Sequence, residues 1–207
     1  MISTALAFWL VGIFAGNTHG DVNIGLKADE DGIREFHLAI GDFYKAPENE
    51  VIAVRKRGID DDELPVVFFL AARSGISSKA IIDLRLGGKS WLDISLHYGF
   101  GPEIYYIDVP DAGPPYGKAL GHYKKKHKSE WHKIKLLDVD IVNLVNLKFL
   151  SKHHGYTPRE IIKMRAAGES FHKINRRVKK SKAAKKNKAA RKKPAKTKPP
   201  GKRKGKE

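Results

Sequence analysis

Cysteine is absent from the sequence, so the chain has no disulfide framework, no thiolate metal site and no thiol nucleophile. It also has no site for a lipid anchor behind an apolar leader. Its fold must rest on burial alone, and the stretch from Asp21 to Val178 is long enough for a core of its own. Charged side chains are missing from Met1 to Gly20, and Arg176 to Glu207 holds a single acid, Glu207. No nucleophile elbow, metalloprotease His pair or acidic dyad at fixed spacing is present, and the residues indicate no catalytic group, no cofactor and no metal ligand. Gly113-Pro114-Pro115-Tyr116-Gly117-Lys118-Ala119 only superficially suggests a phosphate loop. It has three residues between its glycines where four are required, Ala119 in place of the Mg²⁺-binding hydroxyl, and two prolines that remove amides. His122, His127 and His132 recur every five residues among lysines, about 140° apart on a helix, which does not converge on a metal. Asp60 to Glu63 lacks the alternation and the glycine of a calcium loop.

What is present is charge in one place. The 40 Lys+Arg against 23 Asp+Glu give a formal net charge of +17, yet Arg176 to Glu207 alone contributes +16. Met1 to Asn175 balances at 23 bases and 22 acids. Within it Asp21 to Leu64 is acidic, with 12 acids and 6 bases, and Pro65 to Asn175 is basic, with 10 acids and 17 bases. Seven of those 17 lie between Lys118 and Lys135.

The apolar run from Ala5 to Ala15 has the length of a signal-peptide core and is short for a permanent membrane span. Thr18-His19-Gly20 offers small residues for cleavage before Asp21, although no Lys or Arg precedes the core. Residues 1–20 are therefore expected to be an export signal, directing the protein to the periplasm or the cell exterior.

An internal repeat is the most specific pattern. With Phe69 set on Phe149, the series Phe69-Leu70, Gly75, Ile81-Ile82, Arg85, Gly88, Ser90 and Ile94 matches Phe149-Leu150, Gly155, Ile161-Ile162, Arg165, Gly168, Ser170 and Ile174 without a gap. A fainter first copy sets Val51-Ile52, Val54, Arg55 and Gly58 on the positions of Ile81-Ile82, Leu84, Arg85 and Gly88. Each copy reads as a helical hairpin. Thr157-Pro158-Arg159-Glu160 forms a capping box, Ile161, Ile162 and Met164 start an apolar face, and Gly168 supplies the left-handed end. Ser90 to Asp93 starts a further short helix, and Asp61-Asp62-Glu63 puts acids before the run Leu64 to Ala72 with Pro65 in its first turn. The fold class is all-α, with local strand allowed at Asp21 to Leu26 and at Ile104 to Val109, where Tyr105-Tyr106-Ile107 is β-prone. Arg55, Arg85 and Arg165 share one repeat position and suit structural contacts near helix ends. Trp91 and Phe171 suit core plugs, and His153-His154 suits an exposed turn.

The order expected is a signal at 1–20, helical repeats at 21–110, a Gly/Pro then Lys/His-rich linker at 111–135, a further repeat at 136–178, and a disordered cationic tail at 179–207. The tail has no apolar residue larger than Ala and cannot form a core. Its Lys179, Lys180, Lys182, Lys185, Lys186, Lys188, Arg191, Lys192, Lys193, Lys196, Lys198, Lys202, Arg203, Lys204 and Lys206 are the candidate polyanion-binding residues. Lys124, Lys125, Lys126 and Lys128 make a secondary basic patch.

Three resemblances accompany these patterns. Lys192 to Pro200 is similar in composition to linker-histone tails, which implies charge neutralisation of a polyanion. Ile81 to Arg85, Gly88 to Trp91, Ile94-Ser95 and Tyr98 to Gly101 resemble the helix-turn-helix region of site-specific recombinases. That likeness implies a turn at Gly99 and a recognition helix at Pro102 to Tyr106, though Gly101 to Asp108 carries Glu103 and Asp108 and no Lys or Arg. The repeats with their linker resemble uncharacterised exported bacterial proteins, which implies export and a helical body. Two functions follow as expectations. One is a non-enzymatic exported protein whose tail holds an anionic envelope polymer or acidic surface. The other is a cytoplasmic, nucleoid-type nucleic-acid-binding protein.

Overall fold

A computed structural model describes residues 19–191, and the expected export segment up to Thr18 lies outside them. The described residues form helices joined by turns, without strand: α1 (His19–Tyr44), α2 (Glu48–Lys56), α3 (Leu64–Ser74), α4 (Ser78–Leu86), α5 (Trp91–His97), α6 (Gly117–Lys124), α7 (Asp138–His154), α8 (Pro158–Ala166) and α9 (Phe171–Arg191). Two short 3-10 segments, Pro102–Tyr105 and Lys128–Lys133, complete them.

The repeat is visible as equal backbone chemistry at equal positions. Gly75 and Gly155 end α3 and α7 in the left-handed region at φ 70° and 68°, each returning its N–H to a carbonyl four residues back. Ser77 and Thr157 then cap α4 and α8 by accepting from Ala80 N and Glu160 N, and Glu160 reaches back to the Thr157 amide at 3.0 Å. Gly88 and Gly168 turn the chain again at φ 87° and 85°, and Trp91 and Phe171 open α5 and α9 fully buried. The faint first copy obeys the same plan. Lys45 at φ 60° occupies the left-handed position, Pro47 stands at the cap of α2, and Gly58 has φ 99°.

These hairpins close on one another. α7 packs against α3, α5, α8 and α9, and α1 packs against α2, α3 and α9, so the first and last long helices lie together. Phe149 on α7 is the junction, with its ring 5.9 Å from Phe36, 5.2 Å from Phe43 and 5.9 Å from Tyr44. No helix among the described residues is long and apolar enough to cross a membrane.

Three local expectations are corrected. Asp21 to Leu26 lies in α1, and Ile104-Tyr105 lies in a 3-10 turn with both side chains buried, so neither segment is strand. At Ile104 and Tyr105 tertiary burial overrides the weak β preference. Residues 111–135 are not an open linker. Tyr116, Ala119, Leu120 and Tyr123 recur at helical spacing, form the buried stripe of α6 and join the same core as the repeats. His153-His154 is not an exposed turn either. His154 is buried with its Nε2 2.7 Å from Asn175 Oδ1, and the His153 ring packs on Phe43 and Phe149.

Candidate functional site

The cationic segment begins inside α9. Phe171, Ile174, Asn175 and Val178 are its buried stripe, spaced i, i+3, i+4 and i+7, and Val178 is the last core residue among those described. The helix nevertheless runs on, so the segment expected to be disordered from Lys179 is helical as far as Arg191. Ala, Lys and Arg are strong helix formers, and a packed turn upstream removes the nucleation cost. The extension projects about 20 Å beyond the core.

Charge divides α9 into a held half and a free half. The acids of α1 grip the held half: Asp29 Oδ1 lies 3.1 Å from His172 Nε2 and 3.5 Å from Lys173 Nζ, and Glu35 Oε1 lies 3.5 Å from Lys179 Nζ. The hydrogen bond from His172 holds the Asp29 carboxyl below its ordinary range. Arg177 pairs with Glu169. Beyond this, Lys180, Lys182, Lys186 and Lys188 are exposed and have no carboxylate partner among the described residues. Lys185 and Arg191 lie on the same helix. The other tail candidates, Lys192, Lys193, Lys196, Lys198, Lys202, Arg203, Lys204 and Lys206, lie outside the described residues.

The secondary patch is built differently. Tyr123 is buried at the end of α6 and donates its hydroxyl to Pro102 O at 2.6 Å. Trp131 donates its indole N–H to Tyr123 O and Lys126 O at 3.2 and 3.3 Å and packs at a tilt against Tyr106, with ring centroids 4.5 Å apart. These contacts fix a tight turn that leaves Lys124, Lys125, Lys126 and Lys128 exposed, with Lys128 Nζ 6.0 Å from the Trp131 ring. Lys133 is partly neutralised by Glu130 at 3.2 Å.

The helix-turn-helix expectation fares less well. Gly99 does turn at φ 81°, but the recognition segment is the single 3-10 turn Pro102–Tyr105, with Pro102, Ile104 and Tyr105 buried. A groove-reading helix needs an exposed basic face, and this segment offers neither exposure nor base.

The three repeat arginines have partners the sequence did not reveal. Arg55 Nε donates to Asp61 Oδ1 at 3.0 Å, Arg165 lies 3.9 Å from Asp62 Oδ2, and Arg85 pairs with Glu63 and with Asp138. Three consecutive acids before α3 thus gather one arginine from each copy. Burial opposes the charge on Asp61, yet the hydrogen bond from His37 and the Arg55 charge outweigh it, and its carboxyl sits low. Burial dominates at Asp62, whose weaker contact with Arg165 leaves its carboxyl raised. These groups are occupied with one another and serve the fold.

Among the described residues no three His, Asp or Glu side chains are grouped to hold a metal ion. Compared with protein-family models, with curated proteins and with solved structures, the chain matches none.

Proposed function

We propose that the protein is a non-enzymatic, exported helical-repeat protein that holds an anionic envelope polymer or acidic surface through the cationic arm running from Lys179 towards Lys206. The observation that carries this is the change along α9 past Lys179, where a packed, acid-compensated helix gives way to Lys180, Lys182, Lys186 and Lys188, exposed and without a carboxylate partner among the described residues. Binding of this kind releases counterions, lacks sequence choice and weakens steeply with salt, by about 0.9 in log K per log salt for each phosphate neutralised on a DNA-like polymer. With about a dozen contacts, affinity drops by several orders of magnitude between low and high salt. The apolar run Ala5 to Ala15 ahead of Thr18-His19-Gly20 supports export.

Two measurements test it. A chain ending at Val178 should lose salt-steep binding to heparin, lipopolysaccharide and DNA alike, and unchanged binding would move the interface to the body, with Lys124 to Lys128 first in line. Mass spectrometry of the exported fraction should find an N-terminus at or near Asp21. Intact Met1 confined to the cytoplasm would instead favour nucleic acid as the polymer.

A further inference from the structure

Phe69, halfway along α3, has two cations on its ring. Arg73, one turn further on the same helix, places its guanidinium carbon 5.6 Å from the ring centroid, and Lys148 of α7 places Nζ 5.8 Å from the same point. Lys148 is partly buried, and its ammonium donates to Ile104 O at 2.7 Å. That bond fixes the group while using one of its three protons. Lys152 lies one turn beyond Lys148 on the same face of α7.

None of the three has a carboxylate partner among the described residues. The contrast with the repeat arginines is sharp, because Arg55, Arg85 and Arg165 each reach an acid. Burial pushes the Lys148 ammonium down to about 8, and the Arg73 and Lys152 charges push the same way. A partly buried cation flanked by like charges and lacking a counterion is unfavourable for the fold by itself. The repeat shows that the fold does not require it. In the last copy the places of Phe69 and Arg73 are taken by Phe149 and His153. There the ring is enclosed by Phe36, Phe43 and Tyr44, and His153 faces Asp42 at 3.8 Å. The last copy fills and neutralises the place that the middle copy leaves cationic.

We propose that Arg73, Lys148 and Lys152 form a binding site for one phosphate-class oxyanion on the helical body, independent of the cationic arm. A guanidinium fork, a carbonyl-anchored ammonium with two protons left and a second, exposed ammonium match a tetrahedral oxyanion that accepts from several directions. The phosphate is either a free ion or a group carried on a polymer.

The test is titration of the full chain, followed by amide and Arg Nε NMR shifts, with inorganic phosphate and separately with tripolyphosphate. Shifts at Phe69, Arg73, Ile104 and Lys148 that saturate at one equivalent with inorganic phosphate support a free-ion site. Saturation by tripolyphosphate alone supports a polymer-borne group. Lys148→Met should weaken saturable binding by about tenfold or more. Because a half-buried substitution can perturb packing, the exposed pair Arg73→Gln/Lys152→Gln should weaken it as well. No saturable shift with either probe, or unchanged affinity in the Arg73→Gln/Lys152→Gln chain, overturns the site.

Discussion

Arg85 and Trp91 donate to the same carboxylate oxygen, Oε1 of Glu63, while the guanidinium lies 4.7 Å over the indole ring. The second carboxylate, Asp138, takes the other arm of Arg85 and the Trp91 backbone N–H at 2.7 Å. One arginine thereby ties the start of α3, the start of α5 and the start of α7. Burial opposes its charge, but its bonds to Asp138 and Glu63 prevail and hold its proton more tightly than usual.

Arg85→Ala should therefore cost about 3–5 kcal/mol, because it strands two carboxylates in a partly buried site. Urea unfolding of the variant reads this directly. Arg85→Lys should recover little, since an ammonium cannot reach both acids while lying flat on the ring. Arg165→Ala, which loses a 3.9 Å contact to Asp62, a bond to Glu169 O at 3.1 Å and its place over Phe171, should cost about 1–2 kcal/mol. Equal losses at the two positions would contradict the assigned partners.

Lys45 offers a gain in stability. It sits at φ 60° where the other copies have Gly75 and Gly155, and a Cβ at either glycine meets nothing within 4 Å, so the cost at this position is backbone strain alone. Lys45→Gly should stabilise by about 1 kcal/mol. The ion pair it gives up, to Asp42 at 3.8 Å, is almost fully exposed and contributes little. Gly155→Ala should destabilise by a similar amount. A fall in melting temperature for Lys45→Gly would remove the first copy from the repeat scheme.

The repeat was legible because its signals are local. The left-handed Gly168, the Thr157 capping box and the Pro65 start all act within a turn of their own residue, so the all-α plan could be read without knowing what touches what. Contacts across the chain were not. Nothing in the spacing of Arg55, Arg85 and Arg165 shows that they meet Asp61, Asp62 and Glu63. The stripe Tyr116, Ala119, Leu120, Tyr123 was hidden by the lysines and histidines around it, although its helical period was there to find. From Lys179 to Arg191 the charge was legible and the shape was not, because low hydrophobicity excludes a core but not a helix grown from one.

Acid should weaken the packing of α7 on α9. Burial pushes the His154 imidazole down despite the Asn175 hydrogen bond, and burial also pushes His153 down against the pull of Asp42. Below about pH 6.5 the unfolded chain takes up protons that these two folded histidines resist, so stability falls as pH drops through that range. His154→Gln removes one of the two sites. The difference in unfolding free energy between wild type and His154→Gln should shift against wild type from pH 7 to pH 5.5, and a difference that stays constant would show that His154 does not titrate as a buried neutral group. His37 with Asp61 and His172 with Asp29 face carboxylates and belong to both proteins, so their contributions cancel in the comparison.

Breaking the arm helix separates shape from charge. Ala184 is exposed on α9, past Val178, the last core residue among those described. Ala184→Pro costs about 3 kcal/mol of local helix and should lower the far-ultraviolet helical signal. The urea midpoint of the body should not move, since no described residue beyond the break belongs to the core. Counterion release counts charges and not backbone conformation, so affinity for heparin or DNA should stay within about threefold and the salt slope should be unchanged. Replacing Lys180, Lys182, Lys186 and Lys188 by Gln should do the reverse, leaving the helix and reducing the slope by about 3–4. If Ala184→Pro abolished binding with all its lysines in place, the partner would be recognising a rigid helix of defined length, and a purely electrostatic arm would no longer account for the protein.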